Sequence, residues 1–250
     1  KNVDVKVSQD QAQYTIALET NDEIPHLVRL TANATPPLTA TLESTYVEVS
    51  KATRKEVILT VTAPKGTRAG SYTTIINVGI EVEGIVSPEH TKTKSVITIV
   101  NTYYDIDVVW SDENIKVINL TASPGATLRK SLKVTNKGNN FTDVALFLAK
   151  GWEYASLETE RIDGLAPAPN NTCKIDIILK IPSDAKHGQK ILIEVRATAY
   201  GKTETTTLII EVTKTELERF WDILAQMAHF IILLIAVIVV FVTMWLKRRK

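Results

Sequence analysis

Two stretches of this chain can be laid over one another: EVILTVTAPKGTRAGSYTTIINV at residues 56–78 and KIDIILKIPSDAKHGQKILIEVRA at residues 174–197. In each, an alternating strand ends at a proline, Pro64 or Pro182, a polar turn follows, and a glycine, Gly70 or Gly188, precedes a second strand. Proline closes the ladder because it brings no N–H, and glycine gives the backbone the freedom to turn. Both landmarks are offset by 118 residues, about the length of one domain. The chain therefore reads as two copies of one module. After the glycine the apolar parity slips by one residue between the copies, which predicts a bulge or a different hairpin register.

The rest of residues 1–213 agrees with β structure and gives no helix. Apolar residues alternate at Val3, Val5 and Val7; at Tyr14, Ile16 and Leu18; at Val57, Leu59 and Val61; at Leu132 and Val134; at Val144, Leu146 and Leu148; and from Ile175 to Ile181. Short strands punctuated by turns belong to sandwiches or barrels. Between the copies runs NTYYDIDVVW, with neither glycine nor proline. So short a connection predicts a rod rather than flexible beads.

The second copy carries Pro124-Gly125, then LKVTNKGNN with Val134, Asn136, Gly138 and Asn139, then Gly151-Trp152, Leu165, and IPSDAKHG with Pro182, Asp184, Ala185 and Gly188. This series resembles the NEW3 and CARDB group of immunoglobulin-like modules of archaeal and bacterial surface and membrane proteins. The resemblance covers residues 105–213. The first copy shares only the Pro64 to Gly70 turn and Tyr72. It implies a seven- or eight-stranded sandwich that serves as a spacer, adhesion or envelope module without catalysis. The expected architecture is all-β, with two tandem immunoglobulin-like β-sandwich domains at 1–103 and 104–213 followed by one C-terminal transmembrane α-helix.

That helix is read from the end of the chain. From Phe230 to Leu246 only Thr243 is polar, and twenty residues counted from Met227 span close to the ~30 Å of a bilayer core. Trp221 and Trp245 flank the run, and Lys247, Arg248, Arg249 and Lys250 follow it. Cations after the span predict a cytoplasmic tail at 247–250, a transmembrane helix at 230–246 and residues 1 to about 220 outside. The expected location is the plasma membrane, crossed once. Thr215 and Glu218 have capping-box spacing, so residues 214–229 are expected to form a helical stem continuous with the span. His229, Ala236 and Thr243 recur every seven residues and form a candidate helix-partner stripe. The chain begins at Lys1 with no charged-then-apolar leader, which fits either a removed signal peptide or a cut chain.

Signals for chemistry are sparse. The net charge is +1, and residues 1–246 hold 25 Lys and Arg against 28 Asp and Glu, which argues against nucleic acid as a partner. The four histidines form no metal-ligand spacing, and no nucleophile elbow or phosphate loop occurs. No enzyme activity, cofactor, metal or small-molecule substrate is expected. Cys173 with His187 lacks the further ligands a copper site needs. Asp105, Asp107, Asp112 and Glu113 are either solvated turn carboxylates or a Ca²⁺ site between modules. Trp110 and Trp152, the tryptophans ahead of residue 221, are expected in cores. Four N-x-Ser/Thr sequons, at Asn33, Asn119, Asn140 and Asn170, are candidate N-glycosylation sites, with Asn33, Asn140 and Asn170 in turn-like segments. The expected partners are membrane lipid and other envelope or membrane proteins. The expected function is a membrane-anchored spacer, adhesion or docking protein. The alternative is an accessory subunit of a membrane complex, similar to translocon-associated subunits in joining such a domain to one helix and a basic tail.

Overall fold

The computed structural model describes residues 1–51, 53–82 and 85–247. Among these the chain is mostly β, with one C-terminal helix. Residues 2–100 supply β1 (Asn2–Val3), β2 (Asp10–Leu18), β3 (His26–Ala34), β4 (Thr39–Leu42), β5 (Tyr46–Val49), β6 (Lys55–Ala63), β7 (Gly70–Val82) and β8 (Ile85–Val100). They form a five-stranded sheet in the order β1-β8-β7-β3-β5 and a three-stranded sheet β2-β6-β4. Residues 106–212 supply β9 (Ile106–Trp110), β10 (Val117–Ala122), β11 (Thr127–Asn136), β12 (Thr142–Lys150), β13 (Ala155–Leu157), β14 (Arg161–Leu165), β15 (Thr172–Lys180), β16 (Lys190–Ala199) and β17 (Lys202–Val212). Their sheets are β10-β17-β16-β12-β14 and β13-β15-β11-β9.

The two sets of sheets repeat strand for strand. β1 pairs β8 in parallel as β10 pairs β17, and β2 through β8 find their counterparts nine elements later in β11 through β17. Among the described residues only β9 has no counterpart. The slip in parity also has a physical site: Gly188 donates to the Val212 carbonyl while Gln189 accepts from the Val212 N–H, so two residues stand opposite one. In the first half Gly70 pairs one-to-one with Val100. The extra residue of that bulge inverts which side chains face inward.

Alternation fills the cores as pleating requires. Leu59, Val61, Ala63 and Ile76 meet Val3 and Val100 in one cluster, with Leu18, Val28, Leu30 and Val57 in a neighbouring one. In the second half Leu132, Val134, Ile177 and Leu179 of one sheet face Ile193, Val195, Leu208 and Ile210 of the other. Trp110 belongs to this core, 1% exposed, and its Nε1–H donates to the Thr207 carbonyl at 2.9 Å.

Several expectations change. Trp152 is 70% exposed rather than a core residue. Gly151, at φ +72°, presses so closely on Leu192 and Ile193 that a Cβ would lie 2.4 Å from Ile193 Cδ1, and the following side chain turns outward. Val7 is also exposed. Of the supposed connector, Ile106–Trp110 is strand β9, which leaves only residues 101–105 between the halves.

Three residues, Thr213 to Thr215, separate the end of β17 from the helix α1 (Glu216–Lys247). The predicted capping box forms: the Glu218 N–H donates to Thr215 Oγ1 at 3.1 Å, and the Thr215 N–H donates to Glu218 Oε2 at 2.7 Å. Residues Glu216–Val242 are long and apolar enough to cross a membrane, and their most apolar stretch is nowhere buried against the other described residues.

Candidate functional site

The most constructed feature outside the cores is the joint between the halves. Asn136, 1% exposed at the end of β11, organises it by donating Nδ2 to the carbonyls of Asn140 and Leu165 and accepting from the Gly138 N–H. This folds residues 136–140 into a tight turn of the Asx type. At its apex the Gly138 N–H reaches the Asp105 carbonyl, and a Cβ on Gly138 would lie 2.7 Å from the Tyr103 carbonyl. Only glycine lets the turn approach the connector so closely.

The turn delivers Asn139, 0% exposed, into the joint. Its Nδ2 donates to the Thr67 carbonyl at 3.0 Å and the Asn101 carbonyl at 2.9 Å, and its Oδ1 accepts from the Tyr103 N–H at 2.9 Å. Its backbone joins in, accepting from the Ala69 N–H and donating to the Tyr103 carbonyl. The 64–69 turn it meets is the one that follows Pro64. Two contacts flank this clasp: Arg68 lies over the Phe141 ring at 4.6 Å, and Tyr104 stacks on Tyr200 with centroids 3.9 Å apart. Tyr200 and Gly201, both at positive φ, form the two-residue turn of the β16–β17 hairpin.

The acidic residues beside the joint face lysines. Asp107 bonds Lys137 at 2.6 Å and Lys116 at 3.3 Å, Lys116 also bonds Glu204, and Asp112 meets Lys130 at 3.0 Å. Burial works to raise the Asp107 pKa, but hydrogen bonds and charge from Lys137 and Lys116 outweigh it and hold the carboxyl below its usual range. The Lys116 ammonium is held above its usual range by its hydrogen bond to Glu204 first and by Asp107 as well. Burial, then the nearby Asp105 and Asp4 charges, push the Tyr103 hydroxyl up. Among the described residues no group of three or more His, Cys, Asp or Glu stands in metal-binding geometry. Cys173 lies at the start of β15 and His187 beyond its end, about 23 Å or more apart at strand rise.

The sequons scatter. Asn33 is exposed within strand β3 rather than a turn, opposite Ile75. Asn119 is exposed on the edge strand β10, and Asn170 in the loop before β15. Asn140 is half-buried at the joint, and its acceptor-sequence Thr142 is 1% exposed. In the helix the His229 Nδ1–H donates to the Ala225 carbonyl at 2.7 Å, satisfying one ring nitrogen within its own helix. Ala236 floors a shallow apolar groove between Leu233, Val237 and Phe241. Thr243 is helical, with its side chain outside the described residues, as are Arg248, Arg249 and Lys250. The sequence identifies Asn136, Gly138 and Asn139 as turn positions; what it does not signal is that Asn139 binds the other half.

No family model matches this chain, and no curated protein matches it. Among solved structures it is similar to the titin domains z1z2 in complex with telethonin, at 11% identity over 86% of this chain and 92% of that one, with a TM-score of 0.33. It is also similar to mouse cadherin-23 EC22-24, at 12% identity over 71% of this chain and 53% of that one, TM-score 0.36. A family 123 glycoside hydrolase from Clostridium perfringens matches at 16% identity over 45% of this chain, TM-score 0.34. This chain spans only 28% of that hydrolase and 28% of an endo-fucoidan hydrolase of family 107. Likenesses this distant carry no site or activity across.

Proposed function

We propose that this chain is a non-enzymatic, single-pass membrane protein in which two tandem immunoglobulin-like β-sandwich modules, of the NEW3 and CARDB kind, stand on one helix outside the cell. It acts as a stiff spacer that presents protein-docking surfaces. The observation that carries this reading is Asn139, wholly enclosed, whose side chain bonds Thr67 of the first half and Asn101 and Tyr103 of the connector. A flexible joint would leave such a side chain to water; a fully satisfied buried amide favours one fixed geometry. The capped helix, following β17 after only Thr213, Lys214 and Thr215, supports continuation of the stalk to the membrane. The four cations at 247–250 support a cytoplasmic C-terminus.

Spin labels at Thr41→Cys and Thr203→Cys, in a Cys173→Ser background in lipid nanodiscs, test the stalk. A single narrow distance distribution is expected, and a broad or multimodal one rejects stiffness. Retention of the full chain in membranes through an alkaline carbonate wash tests the anchor; release rejects it.

A further inference from the structure

The two five-stranded sheets correspond to one another, β1-β8-β7-β3-β5 in the first half and β10-β17-β16-β12-β14 in the second. The outward face of each carries aliphatic side chains left in contact with water. On the first, Ile75, Ile97 and Ile99 are all exposed, Ile97 by 54%, and they stand opposite Ser95, Thr73 and Ser71. On the second, Val117 and Leu192 are exposed and Ile209 is half-buried on the strand between them. Alternation explains why these residues point outward, because their neighbours Thr74, Ile76, Leu208 and Ile210 fill the cores. It does not explain why they are apolar.

Each face also holds the asparagine of an N-x-Thr sequence in the same row as its aliphatics. Asn33 stands opposite Ile75, and Ile97 lies diagonally beyond on the next strand. Asn119 stands opposite Ile209, which stands opposite Leu192. Opposite residues on one face have Cβ atoms about 5 Å apart. Both asparagines are exposed, and neither side-chain amide has a hydrogen-bond partner among the described residues. The other two acceptors are placed differently. Asn140 is half-buried and its Oδ1 accepts from the Phe141 N–H at 2.9 Å, while Asn170 lies in the loop before β15.

We propose that Asn33 and Asn119 each carry an N-linked glycan whose first sugars lie over the aliphatic row beside it, Ile75 and Ile97 in the first half and Ile209 and Leu192 in the second. This rests on the outside placement proposed above. The co-reactant is an oligosaccharide linked to a lipid pyrophosphate. The asparagine Nδ2 attacks the anomeric carbon, a C–N bond forms as the C–O bond breaks, the pyrophosphate leaves with the electron pair, and the amide gives up one proton. Because Asn33 is held in the β3–β7 ladder once folded, transfer precedes the pairing of that strand. A sugar ring sets its C–H face on the aliphatics and keeps its hydroxyls in water, so the rows lose their apolar contact with solvent. On β10, an edge strand, the glycan also obstructs pairing with a second sheet.

The test routes the full chain through the secretory pathway of a glycosylating host behind a cleavable signal peptide, and reads each sequon by glycopeptide mass spectrometry. Asn33 and Asn119 are expected to carry glycan on most copies. In the purified glycoprotein, Asn33→Gln is expected to lower the folding constant of the first half about fivefold, the effect of returning roughly 40 Å² of apolar surface to water. Asn119→Gln should do the same to the second half. Each loss should shrink below about twofold once the facing aliphatics are threonine, Ile75→Thr with Ile97→Thr or Ile209→Thr with Leu192→Thr, because less apolar surface is left to cover. It should shrink equally in chain made by a host without the transferase. Either asparagine found bare overturns the proposal, and so does an undiminished loss in the threonine backgrounds or in the unmodified chain. The signal peptide itself imposes export, so none of these outcomes bears on the stiffness or the anchor, which the spin-label and carbonate measurements read separately.

Discussion

Replacing Asn139 with alanine should open the joint without unfolding either half. The variant loses three hydrogen bonds, to the Thr67 and Asn101 carbonyls and from the Tyr103 N–H. Each nets about 1 kcal/mol, and each partner stranded away from water costs roughly 1–3 kcal/mol more. The joint escapes part of that cost by parting and rehydrating the stranded groups, so a loss of about 2–4 kcal/mol in joint closure is expected. The core clusters of the two halves do not include Asn139, so their own stability should change little. Amide exchange reads this directly, because the Ala69 N–H is held only by the Asn139 carbonyl across the joint and the Tyr103 N–H by its side chain. The expected loss of protection at both amides is about thirty-fold to a thousand-fold, at 1.4 kcal/mol per factor of ten. Asn139→Asp separates bonding from shape. It keeps the acceptor for Tyr103 but sets a carboxylate oxygen against two carbonyls, and should be at least as disruptive as alanine. Protection within threefold of wild type in the alanine variant, or an aspartate variant milder than alanine, would refute the clasp.

Gly151→Ala should destabilise the second half by more than about 2 kcal/mol through overpacking, since the new Cβ meets Ile193 and the Leu192 carbonyl at φ +72°. Gly66→Ala, at φ +74° with open space around it, should cost only about 1–2 kcal/mol; urea midpoints that fail to separate the two would contradict this. Trp110→Phe removes the indole N–H bond to the Thr207 carbonyl, which the β10–β17 ladder still satisfies, and should cost about 1 kcal/mol, measured as a lower urea midpoint for the second half with the first unchanged. Asp107 has a folded pKa depressed below its unfolded value of about 3.9, so its ion pairs add stability above that pH, which is lost as pH falls through the folded value. Asp107→Asn should therefore lower stability at pH 7 and flatten the acid limb below about pH 4; a deficit equal at pH 7 and pH 3 would count against the pairing.

What the sequence made legible follows from period and punctuation. The 118-residue offset of Pro64 and Gly70 from Pro182 and Gly188 corresponds to a repeat of strand order, because turn chemistry is local and a ladder cannot pass a proline. The Thr215–Glu218 cap was equally local and formed as expected. Less legible were features that depend on packing at a distance. Trp152 resembles a core residue until Gly151 is seen pressed against β16, and β9 was hidden in the connector because IDVVW has too few residues to betray its period. Asn139 was visible as one asparagine in a polar turn, but its partners Thr67 and Asn101 lie 72 and 38 residues away, where no local pattern reaches.

The two copies of one module also differ in ways that divide their tasks under the stalk reading. A pull between the membrane helix and the joint draws the end of β17 one way and the start of β10 the other. These strands are parallel and paired over six residues from Val117 to Ala122, so the load shears the whole ladder at once instead of peeling it bond by bond. The N–H of Thr213 extends the same attachment to the Ala122 carbonyl just before the helix begins. The corresponding pair in the first half, β1 with β8, has only Asn2 and Val3. Complete pairing, β9 included, suits the second half to bearing load between joint and membrane. On the same reading the first half, farther from the membrane, lies outside that load path, where a β1–β8 pairing of only two residues suffices.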